Sequence, residues 1–578
     1  MRRARWKEAV VYQIYVRSFM DGNGDGVGDL RGILSQVDYL QTLGVTAVWL
    51  TPIYPSPDID NGYDVADYRA IDPRYGGFSD WEALRDALHA RGMRLIMDIV
   101  VNHTSDQHRW FQSSRSSRSD PLRDYYIWRP PRDGGPPNNW GSAFGGPAWT
   151  FDENTGEYYL HIFAPEQPDL NWENPLVRNE MYDIMEWWLD HDADGFRMDV
   201  VNMISKEPGL PDAPVTRDGP WQWGGQYFLQ GPRLLEYLRE MNEQVLSRYD
   251  IMTVGEAPGL TTEHAVDILH ESGGPLNMLF HFEHVDIGSG ELGKWTRSPW
   301  MLHQLKHVIT RWEKELEGKG WNSFYLSNHD QPRAVSRFGD DGQYRERAAK
   351  LLATFLLMLQ GTPYIYQGDE IGMTNVRFPD LSSYRDIETL QFHDEATRLR
   401  GWSSAEAMAA IYATSRDNAR TPMQWTAEEH GGFTTGTPWI RANPNYERIN
   451  VEAALADPQS VFHHYRRLIE LRRDNAVVVY GRYDLLAEAH DQVYAFTRTL
   501  GDEKLLVTLN FSGSEATFSA PSELDCSDAN LLISNCDVGA SPAEHQQLQP
   551  WEARVYRIAG VVSTPAEHTN GIVTHGGP

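Results

Sequence analysis

The sequence predicts an α/β protein: a (β/α)8 barrel with a small domain inserted after its third strand and an antiparallel β domain at the C-terminal end. Three observations favour this architecture. Short β-branched or aromatic runs recur and are often followed by a helical pattern, one connection between them is long and irregular, and the last part of the chain alternates apolar with polar residues. Eight strands could also form an open doubly wound sheet, so the strand count alone does not decide between the two folds.

The eight predicted strands lie at 10–15, 47–50, 94–100, 195–199, 252–255, 278–282, 323–326 and 363–366. The helix before the third strand has clear signals, because Ser79 with Glu82 predicts a capping box and Gly92 follows as a stop. Leu84 and Leu88 share one face of this helix. If eight such units close on themselves, the active site lies at the carboxyl ends of the strands.

Two long connections interrupt this regular order. The one after the third strand contains a stretch, 113–146, crowded with Arg, Asp, Pro, Gly and Ser, which predicts an inserted domain at 104–173. The other, about 374–437, follows the eighth strand and should overhang the mouth of the barrel. The barrel itself is predicted to comprise 1–103 and 174–478.

The pattern changes from about Val477, after a helical stretch at 461–473. Alternation at 493–497 and at 505–509, with Gly and Asp turns, predicts a C-terminal β-sandwich at 479–560. The last residues, 561–578, are expected to form a frayed tail.

Composition excludes several classes of protein. The 578 residues include 81 acidic and 52 basic side chains, and the net charge of −29 argues against a nucleic-acid partner or an anionic membrane. The first residues lack the apolar core of a signal peptide, and no apolar run is long enough to cross a bilayer. We therefore expect a cytoplasmic protein, monomeric or a small homo-oligomer, in which Cys526 and Cys536 are free thiols.

Three acidic residues stand at the ends of predicted strands, where a barrel would bring them together. Asp199 closes the fourth strand, Glu256 follows the fifth and Asp330 follows the seventh. Cleavage of a glycosidic bond needs two carboxyl groups, one protonated to donate to the leaving oxygen and one ionised to attack the anomeric carbon. Arg197 lies on the same strand face as Asp199 and should keep it ionised, which leaves Glu256 as the acid. Taken singly, each acid could instead be a helix cap or an ion-pair partner.

A loop after the first strand has the residue types of a calcium site. Its oxygen ligands stand at alternating positions with glycines for the turn, namely at Asp21, Asn23, Asp25 and Asp29. It is not a full EF-hand, because Gly32 stands where the bidentate glutamate would be. The alternative is an Asx-turn loop without a metal.

Four segments carry a resemblance to a known family. Residues 98–103 (DIVVNH), 195–202 (GFRMDVVN), 254–257 (VGEA) and 327–330 (SNHD) resemble the four signature regions of the α-amylase superfamily, in order and at the expected strands. Further segments are similar to the oligo-1,6-glucosidases and dextran glucosidases of its α-glucosidase branch: 60–64 (DNGYD), 167–172 (QPDLNW), 328–333 (NHDQPR) and 415–425 (SRDNARTPMQW). The likeness covers nearly the whole chain and implies a TIM barrel with the insert and the β domain.

The resemblance implies a role for each matching residue. Asp199 would be the nucleophile, Glu256 the general acid/base, and Asp330 the residue that binds substrate hydroxyls and stabilises the transition state. The pocket for the terminal glucose would be lined by Asp60, Tyr63, His103, Phe163, Gln167, Arg197, His329 and Arg416, with Phe144 and Phe282 as aromatic walls.

Two further positions take their meaning from the same resemblance. Val200, directly after the nucleophile, is the residue type that accompanies α-1,6 preference in this branch, although a β-branched residue also simply suits a strand end. The loop at 21–29 would hold a structural calcium ion with the Val27 carbonyl as a further ligand. No organic cofactor is implied.

The sequence therefore predicts a retaining, exo-acting α-glucosidase that hydrolyses terminal α-1,6-linked, or also α-1,4-linked, glucose in short oligosaccharides and can transfer glucose as well. Two alternatives stay open. A sucrose isomerase would carry an Arg- and Asp-rich motif soon after the fourth signature region, whereas 331–338 follow the glucosidase pattern. A catalytically inactive interaction protein of this fold would have lost catalytic carboxylates, and here all three are present.

Overall fold

The computed structural model describes residues 2–216, 218–538 and 542–559, and the predicted tail at 561–578 lies outside the described residues. Eight strands coincide with the predicted ones: β1 (Val11–Ile14), β2 (Ala47–Leu50), β3 (Arg94–Val100), β7 (Gly195–Asp199), β8 (Met252–Glu256), β9 (Met278–Phe280), β10 (Ser323–Phe324) and β11 (Thr362–Tyr366). The strands between β3 and β7 belong to the insert.

These eight strands form one parallel sheet in the order β10-β11-β1-β2-β3-β7-β8-β9. The two end strands lie side by side, and the hydroxyl of Ser323 donates a hydrogen bond to the carbonyl of Leu279 at 2.8 Å, so the ring closes. Each strand neighbours its successor in the ring, and β1 lies beside β11. The predicted barrel is confirmed, and the doubly wound alternative is wrong.

Apolar side chains fill the inside of the barrel. The cluster includes Val11, Trp49, Ile96, Val254 and Phe280, each from a different strand. A filled interior leaves the loops at the carboxyl ends of the strands as the place for a site.

Helices surround the ring and continue into the later segments. They are α1 (Arg5–Glu8), α2 (Leu30–Ser35), α3 (Val37–Leu43), α4 (Phe78–Ala90), α5 (Arg109–Ser114), α6 (Pro175–Asp190), α7 (Gly225–Phe228), α8 (Leu234–Gln244), α9 (Thr262–Leu269), α10 (Leu302–Leu316), α11 (Ala334–Phe338), α12 (Arg345–Met358), α13 (Ile387–Arg398), α14 (Ser404–Thr414), α15 (Asp417–Arg420), α16 (Val451–Ala456), α17 (Val461–Asp474) and α18 (Ala476–Tyr480). Short 3₁₀ turns link several of them.

The start of α4 differs from the prediction. Gly77 is the N-cap, and its N–H donates to the carboxylate of Asp80 at 2.9 Å. The predicted box of Ser79 and Glu82 is therefore wrong, because Asp80 caps the helix two residues earlier. Gly92 has φ 75° and ends the helix as predicted.

The connection after β3 carries a small antiparallel sheet. It consists of β4 (Trp128–Arg129), β5 (Trp149–Asp152) and β6 (Glu157–Leu160), with β6 in the centre. An isolated bridge between His103 and Asp169 joins this segment to the end of β3. The insert therefore stands over the carboxyl ends of the strands, while its boundaries at 104 and 173 stay a prediction.

The segment after β11 covers the mouth of the barrel, with α13 and α14 packed around an apolar cluster that includes Phe378, Phe392 and Ile411. Arg416, between α14 and α15, lies 3.0 Å from Asp60 in the loop after β2. This contact places the segment above the strand ends.

The C-terminal part contains two antiparallel sheets. One has the strands β12 (Arg482–Leu486), β13 (Val493–Leu500), β14 (Glu503–Asn510), β18 (Ala553–Ala559) and β16 (Asn530–Ser534) in that order, and β15 (Ala516–Ser519) pairs with β17 (His545–Leu548) in the other. Val493 and Leu506 of the first sheet share an apolar cluster with Phe518 and Leu548 of the second. The predicted antiparallel β domain is confirmed.

The beginning of this part was predicted too early. Val477 lies in α18, where the N–H of Gly481 donates to the Val477 carbonyl at 3.0 Å, and the first strand starts at Arg482. The three valines at 477–479 are buried, so packing outweighs their preference for a strand.

Arg498 connects the β sheets to the barrel. This fully buried side chain on β13 donates to the carbonyls of Met358 at the end of α12, Val479 and Gly481. A cation at a helix C-terminus satisfies carbonyls that the helix leaves unpaired.

Nowhere in the described part of the chain does a helix combine the length and apolarity that crossing a bilayer requires.

Candidate active site

Asp199 and Glu256 meet around one arginine at the mouth of the barrel. They end the neighbouring strands β7 and β8, and Arg197 lies two residues before Asp199 on the same strand face. Arg197 Nη1 lies 2.6 Å from Asp199 Oδ1, and Nη2 lies 2.5 Å from Glu256 Oε2. All three side chains are buried, as the predicted constellation requires.

Asp98 on β3 fixes the position of Arg197. Its Oδ1 lies 3.0 Å from Arg197 Nη1, while Oδ2 accepts hydrogen bonds from the Tyr63 hydroxyl at 2.9 Å and from Trp49 Nε1 at 3.1 Å. The arginine therefore faces three carboxyl groups at once. This arrangement leaves little freedom for the guanidinium plane.

Asp330 is the third acid, and it lies among basic groups. Arg420 Nη2 is 2.6 Å and Arg416 Nη1 is 3.3 Å from its Oδ1, and His329 Nε2 is 3.1 Å from its Oδ2. Burial opposes its ionisation, but His329 and the two arginines outweigh burial and hold the pKa of Asp330 well below its usual range. Asp330 is therefore ionised throughout the neutral range.

Four polar residues from three loops close the far side of the pocket. Asp60 accepts from Arg416 Nη2 at 3.0 Å and from Gln167 Nε2 at 3.1 Å. Gln167 Nε2 also lies 3.2 Å from His103 Nε2. The insert, which supplies Gln167, is thereby joined to the loop after β2 and to the segment after β11.

Both pocket histidines are neutral. Burial lowers the pKa of His103 to about 4, and its two ring nitrogens face the amide N–H groups of Gln167 and Asn102, at 3.2 and 3.3 Å. Burial also lowers the pKa of His329 to about 3. Since Gln13 Nε2 lies 2.8 Å from His329 Nδ1, the proton of His329 is on Nε2, toward Asp330.

Aromatic rings form two walls. Tyr63 stacks on His329 with ring centroids 5.1 Å apart, and Phe163 lies 5.1 Å from His103 and 5.6 Å from Phe144. Phe282 differs: this half-buried ring lies 6.4 Å from Tyr325 against the barrel interior, and among the described residues no ring contact joins it to the Phe144 wall.

The two central acids have separated pKa values. Burial raises the pKa of Asp199 to about 6, although Arg197 opposes this shift. Burial also raises the pKa of Glu256, and the neighbouring Asp199 charge adds to the effect, so that the pKa of Glu256 is about 8 although Arg197 opposes this shift too. Their carboxyl groups are close enough for a hydrogen bond between them. Near pH 7 the favoured state is an ionised Asp199 beside a protonated Glu256.

Val200 has an unusual backbone for a β-branched residue. Its φ of 34° and ψ of 43° lie in the left-handed region, which costs free energy for such a side chain. In this conformation its N–H donates to Glu256 Oε2 at 3.3 Å, and its side chain belongs to an apolar cluster that includes Ile162 of the insert. A strand-end preference alone does not explain this conformation.

Three residues near the site were missed by sequence reasoning: Arg420, Asp386 and Lys206. Arg420 stands inside the segment 415–425 that carried the resemblance, so that segment could have suggested it. Asp386 accepts from Arg416 at 2.7 and 2.9 Å. Lys206 is buried and lies 2.7 Å from Asp169. Nothing in the local sequence signals these last two.

A cavity of about 710 Å³, here called the vestibule, lies beside the pocket residue Arg416. Its walls come from the insert, the chain at 218–221, the chain at 291–295 and α13. Two of its lining residues touch Arg416: the Arg416 Cζ lies 5.1 Å from the Phe144 ring centroid, and Glu388 Oε2 lies 3.4 Å from Arg416 Nε. The vestibule therefore borders the pocket at Arg416.

The loop at 21–29 is a series of Asx turns. Asp21 accepts from the N–H groups of Asn23, Gly24 and Gly26, and Asn23 and Asp25 each accept from the residue two positions on. Among the described residues no three His, Cys, Asp or Glu side chains are placed to hold a metal ion. A cation here would therefore also need the Asn23 amide and Val27 carbonyl oxygens, which are ligands that calcium accepts.

Comparison with known proteins identifies the family. Residues 13–481 match the model of the α-amylase catalytic domain. The chain is 58% identical to an oligo-1,6-glucosidase of Parageobacillus thermoglucosidasius over 96% of this chain and 100% of that protein. The protein belongs to the α-amylase family and is a glycoside hydrolase, as predicted.

Solved structures with the same fold include enzymes of different specificity. A trehalose-6-phosphate hydrolase of Bacillus licheniformis superposes with a TM-score of 0.92 at 46% identity, over 96% of this chain and 100% of the other. An isomaltulose synthase of Erwinia rhapontici, solved with sucrose, has a TM-score of 0.92 at 42% identity over the same shares. These comparisons establish the family and the fold. Because relatives of this fold differ in specificity, the substrate has to be inferred from the site.

Proposed function

We propose that this protein is a retaining, exo-acting α-glucosidase that hydrolyses terminal α-1,6-linked glucose in short oligosaccharides. The observation that carries the proposal is the pair Asp199 and Glu256 on one arginine, with pKa values of about 6 and about 8. A double-displacement reaction needs one ionised carboxyl group as the nucleophile and one protonated carboxyl group as the acid at the same glycosidic bond.

In the first step, Asp199 attacks the anomeric carbon of the terminal glucose while Glu256 gives its proton to the glycosidic oxygen. The bond from the anomeric carbon to that oxygen breaks, and glucose is left covalently attached to Asp199. Glu256, now ionised, takes a proton from water, whose oxygen attacks the same carbon. Asp199 leaves as a carboxylate, Glu256 regains its proton, and α-glucose is released.

The other pocket residues bind and orient the sugar in this proposal. The ionised Asp330 accepts hydrogen bonds from ring hydroxyls, and the neutral His329 and His103 present N–H or lone-pair positions without adding charge. Asp60, held by Arg416 and Gln167, closes the end of the pocket. A blind end that accommodates one terminal ring favours exo cleavage.

The retaining assignment has a direct test. NMR of isomaltose hydrolysis at early times should show the α anomer of glucose before mutarotation. The Asp199→Ala variant should lose activity while its circular dichroism spectrum stays unchanged. Asp330→Asn, which keeps the shape of the third acid and removes its charge, should lose activity as well. Early release of the β anomer would refute the double displacement, and full activity of Asp199→Ala would refute the site.

A sucrose isomerase is the second candidate, because a sucrose-converting relative has the same fold at a TM-score of 0.92. Incubation with sucrose followed by chromatography separates the two functions. Glucose and fructose as products support hydrolysis. Isomaltulose or trehalulose as the main product would overturn the proposed function.

A calcium ion bound in the loop at 21–29 is part of the proposal. Asp21, Asn23, Asp25, Asp29 and the Val27 carbonyl would hold it, and all of these donors are oxygens. The ion would stabilise the loop after β1, whose Asp21 also accepts from the Thr434 hydroxyl at 2.5 Å. The segment over the mouth would then depend on the loop.

A cytoplasmic location and a monomeric or small homo-oligomeric state complete the proposal. The structure has Cys526 and Cys536 as free cysteines, which suits a reducing compartment. Fractionation of the native cells and light scattering of the purified protein test the two statements separately.

A further inference from the structure

In the proposed function, the part of a substrate beyond the terminal glucose lies in the vestibule, which borders the pocket at Arg416. Phe144 and Glu388, which both contact Arg416, are part of its lining, and the insert and α13 form two of its walls. With about 710 Å³ it can hold one or two further sugar rings. Whatever charges line it therefore act on that part of the substrate.

Acidic groups outnumber free basic groups in this lining. Its described residues include four carboxylates, at Asp218, Glu291, Glu388 and Glu395, and two cations, at Lys294 and Arg400.

Both cations already form ion pairs with carboxylates of the lining. Lys294 Nζ lies 2.6 Å from Glu388 Oε2, and Arg400 Nη2 lies 2.7 Å from Glu395 Oε1. Within the described part of the chain, Asp218 and Glu291 make no ion pair. Within the described residues, the lining thus offers an incoming anion two carboxylates without an ion-pair partner and no unpaired cation.

We propose that the vestibule selects uncharged sugars and rejects glucosides that carry a phosphate on the ring beyond the terminal glucose. The proposal rests on the proposed function and narrows its substrate class. A phosphate monoester brings between one and two negative charges near neutral pH and needs cationic or N–H partners. This sets the chain apart from the relative of the same fold that is named for trehalose 6-phosphate.

Trehalose and trehalose 6-phosphate form a matched pair of probes. Both offer one unmodified glucose to the pocket, and they differ only by the phosphate on the other ring. Their inhibition constants are measured against 4-nitrophenyl α-glucoside hydrolysis by the full chain. We expect trehalose 6-phosphate to bind at least tenfold more weakly at low salt, with the difference shrinking in high salt because screening weakens the repulsion.

Two charge variants localise the effect. Glu291→Lys reverses an unpaired charge of the vestibule and should reduce the ratio of the two inhibition constants at least threefold. Glu503→Lys makes the same change on an exposed position of the C-terminal sheet and should leave the ratio unaltered. Equal inhibition constants for the wild type, or equal effects of the two variants, would overturn the proposal.

The same experiment separates this proposal from the proposed function. A wild-type protein that releases no 4-nitrophenol would refute the glucosidase assignment by itself. Calorimetric titration with trehalose and trehalose 6-phosphate would then test the vestibule proposal through the ratio of their dissociation constants. Equal affinities would refute it, and a tenfold weaker affinity for trehalose 6-phosphate would support it.

Discussion

Asp386 binds Arg416 at two points. Its Oδ1 accepts from Arg416 Nη2 at 2.7 Å and from Nε at 2.9 Å, while its Oδ2 caps α13 through the N–H and hydroxyl of Thr389. The same guanidinium reaches Asp60 and Asp330. One fully buried carboxylate therefore sets both the orientation of a pocket arginine and the start of the helix that walls the vestibule.

Asp386→Asn is expected to lower kcat/KM for isomaltose by roughly 10- to 100-fold, since a small misplacement of a pocket group has effects of that size. The asparagine oxygen still caps α13, but the buried guanidinium of Arg416 loses an anionic partner, so Tm should fall as well. Asp386→Glu keeps the charge and should recover part of the activity, a rescue that a purely structural role does not predict. Unchanged kcat/KM in Asp386→Asn would contradict the positioning role.

The pH dependence follows from the two acids of the site. Activity needs Asp199 ionised, with a pKa of about 6, and Glu256 protonated, with a pKa of about 8. The rate should therefore rise as the pH approaches 6 from below and fall as it passes 8, a bell whose limbs belong to the coupled pair. The kcat/KM profile on isomaltose measures both limbs. In Glu256→Gln the alkaline limb should disappear from the residual activity.

Val200→Thr tests the linkage preference. Threonine has the shape of valine but places a hydroxyl next to Asp199 and Glu256, in a cluster that is otherwise apolar. The ratio of kcat/KM for isomaltose to that for maltose should fall, by about 10-fold to 100-fold. Val200→Ile keeps the apolar surface and serves as the control. An unchanged ratio in the threonine variant would leave residue 200 without a role in specificity.

The calcium proposal predicts a stability effect at a distance from the active site. Added Ca²⁺ should raise Tm of chelator-treated protein, and Asp25→Asn should abolish that increase. Asp25 is exposed and accepts only from the N–H of Val27 in the described structure, so the variant should hardly alter the Tm measured in chelator. An equal Ca²⁺-dependent rise in wild type and variant would place the ion elsewhere.

Lys206 and Asp169 form a buried ion pair between the loop after β7 and the insert. Lys206 also donates to Asn102, which neighbours His103. Lys206→Met leaves Asp169 charged and without its cation, so we expect a loss of about 3–5 kcal/mol of unfolding free energy. Denaturant titration measures it. Adding Asp169→Asn should restore part of the loss, and a fully additive double variant would argue against the pair.

Regular periodicity made the barrel predictable, whereas the mouth is built by long-range contacts. All eight strands could be located because β-branched runs bounded by turns leave a local signal, and Asp199, Glu256 and Asp330 followed from where those strands end. Asp386 and Arg420 lie in an insertion without a repeating pattern. Their partners, Arg416 and Asp330, are brought close only by folding, so no local rule could pair them.

The error at Val477 has the opposite cause. There the local signal was strong and the surroundings outweighed it, because burial against the barrel holds three valines in a short helix. The error at the start of α4 is similar. Two pairs had the spacing of a capping box, Gly77 with Asp80 and Ser79 with Glu82, and the helix begins at the earlier one.

The hydrogen bonds that Arg498 makes to Met358, Val479 and Gly481 carry a consequence for any truncation of the chain. Ending the protein before the C-terminal strands would strip three main-chain oxygens of their donor in a place that water cannot easily reach. The barrel and the C-terminal β domain should therefore unfold in one cooperative transition. A shortened chain that keeps every pocket residue should still have low activity.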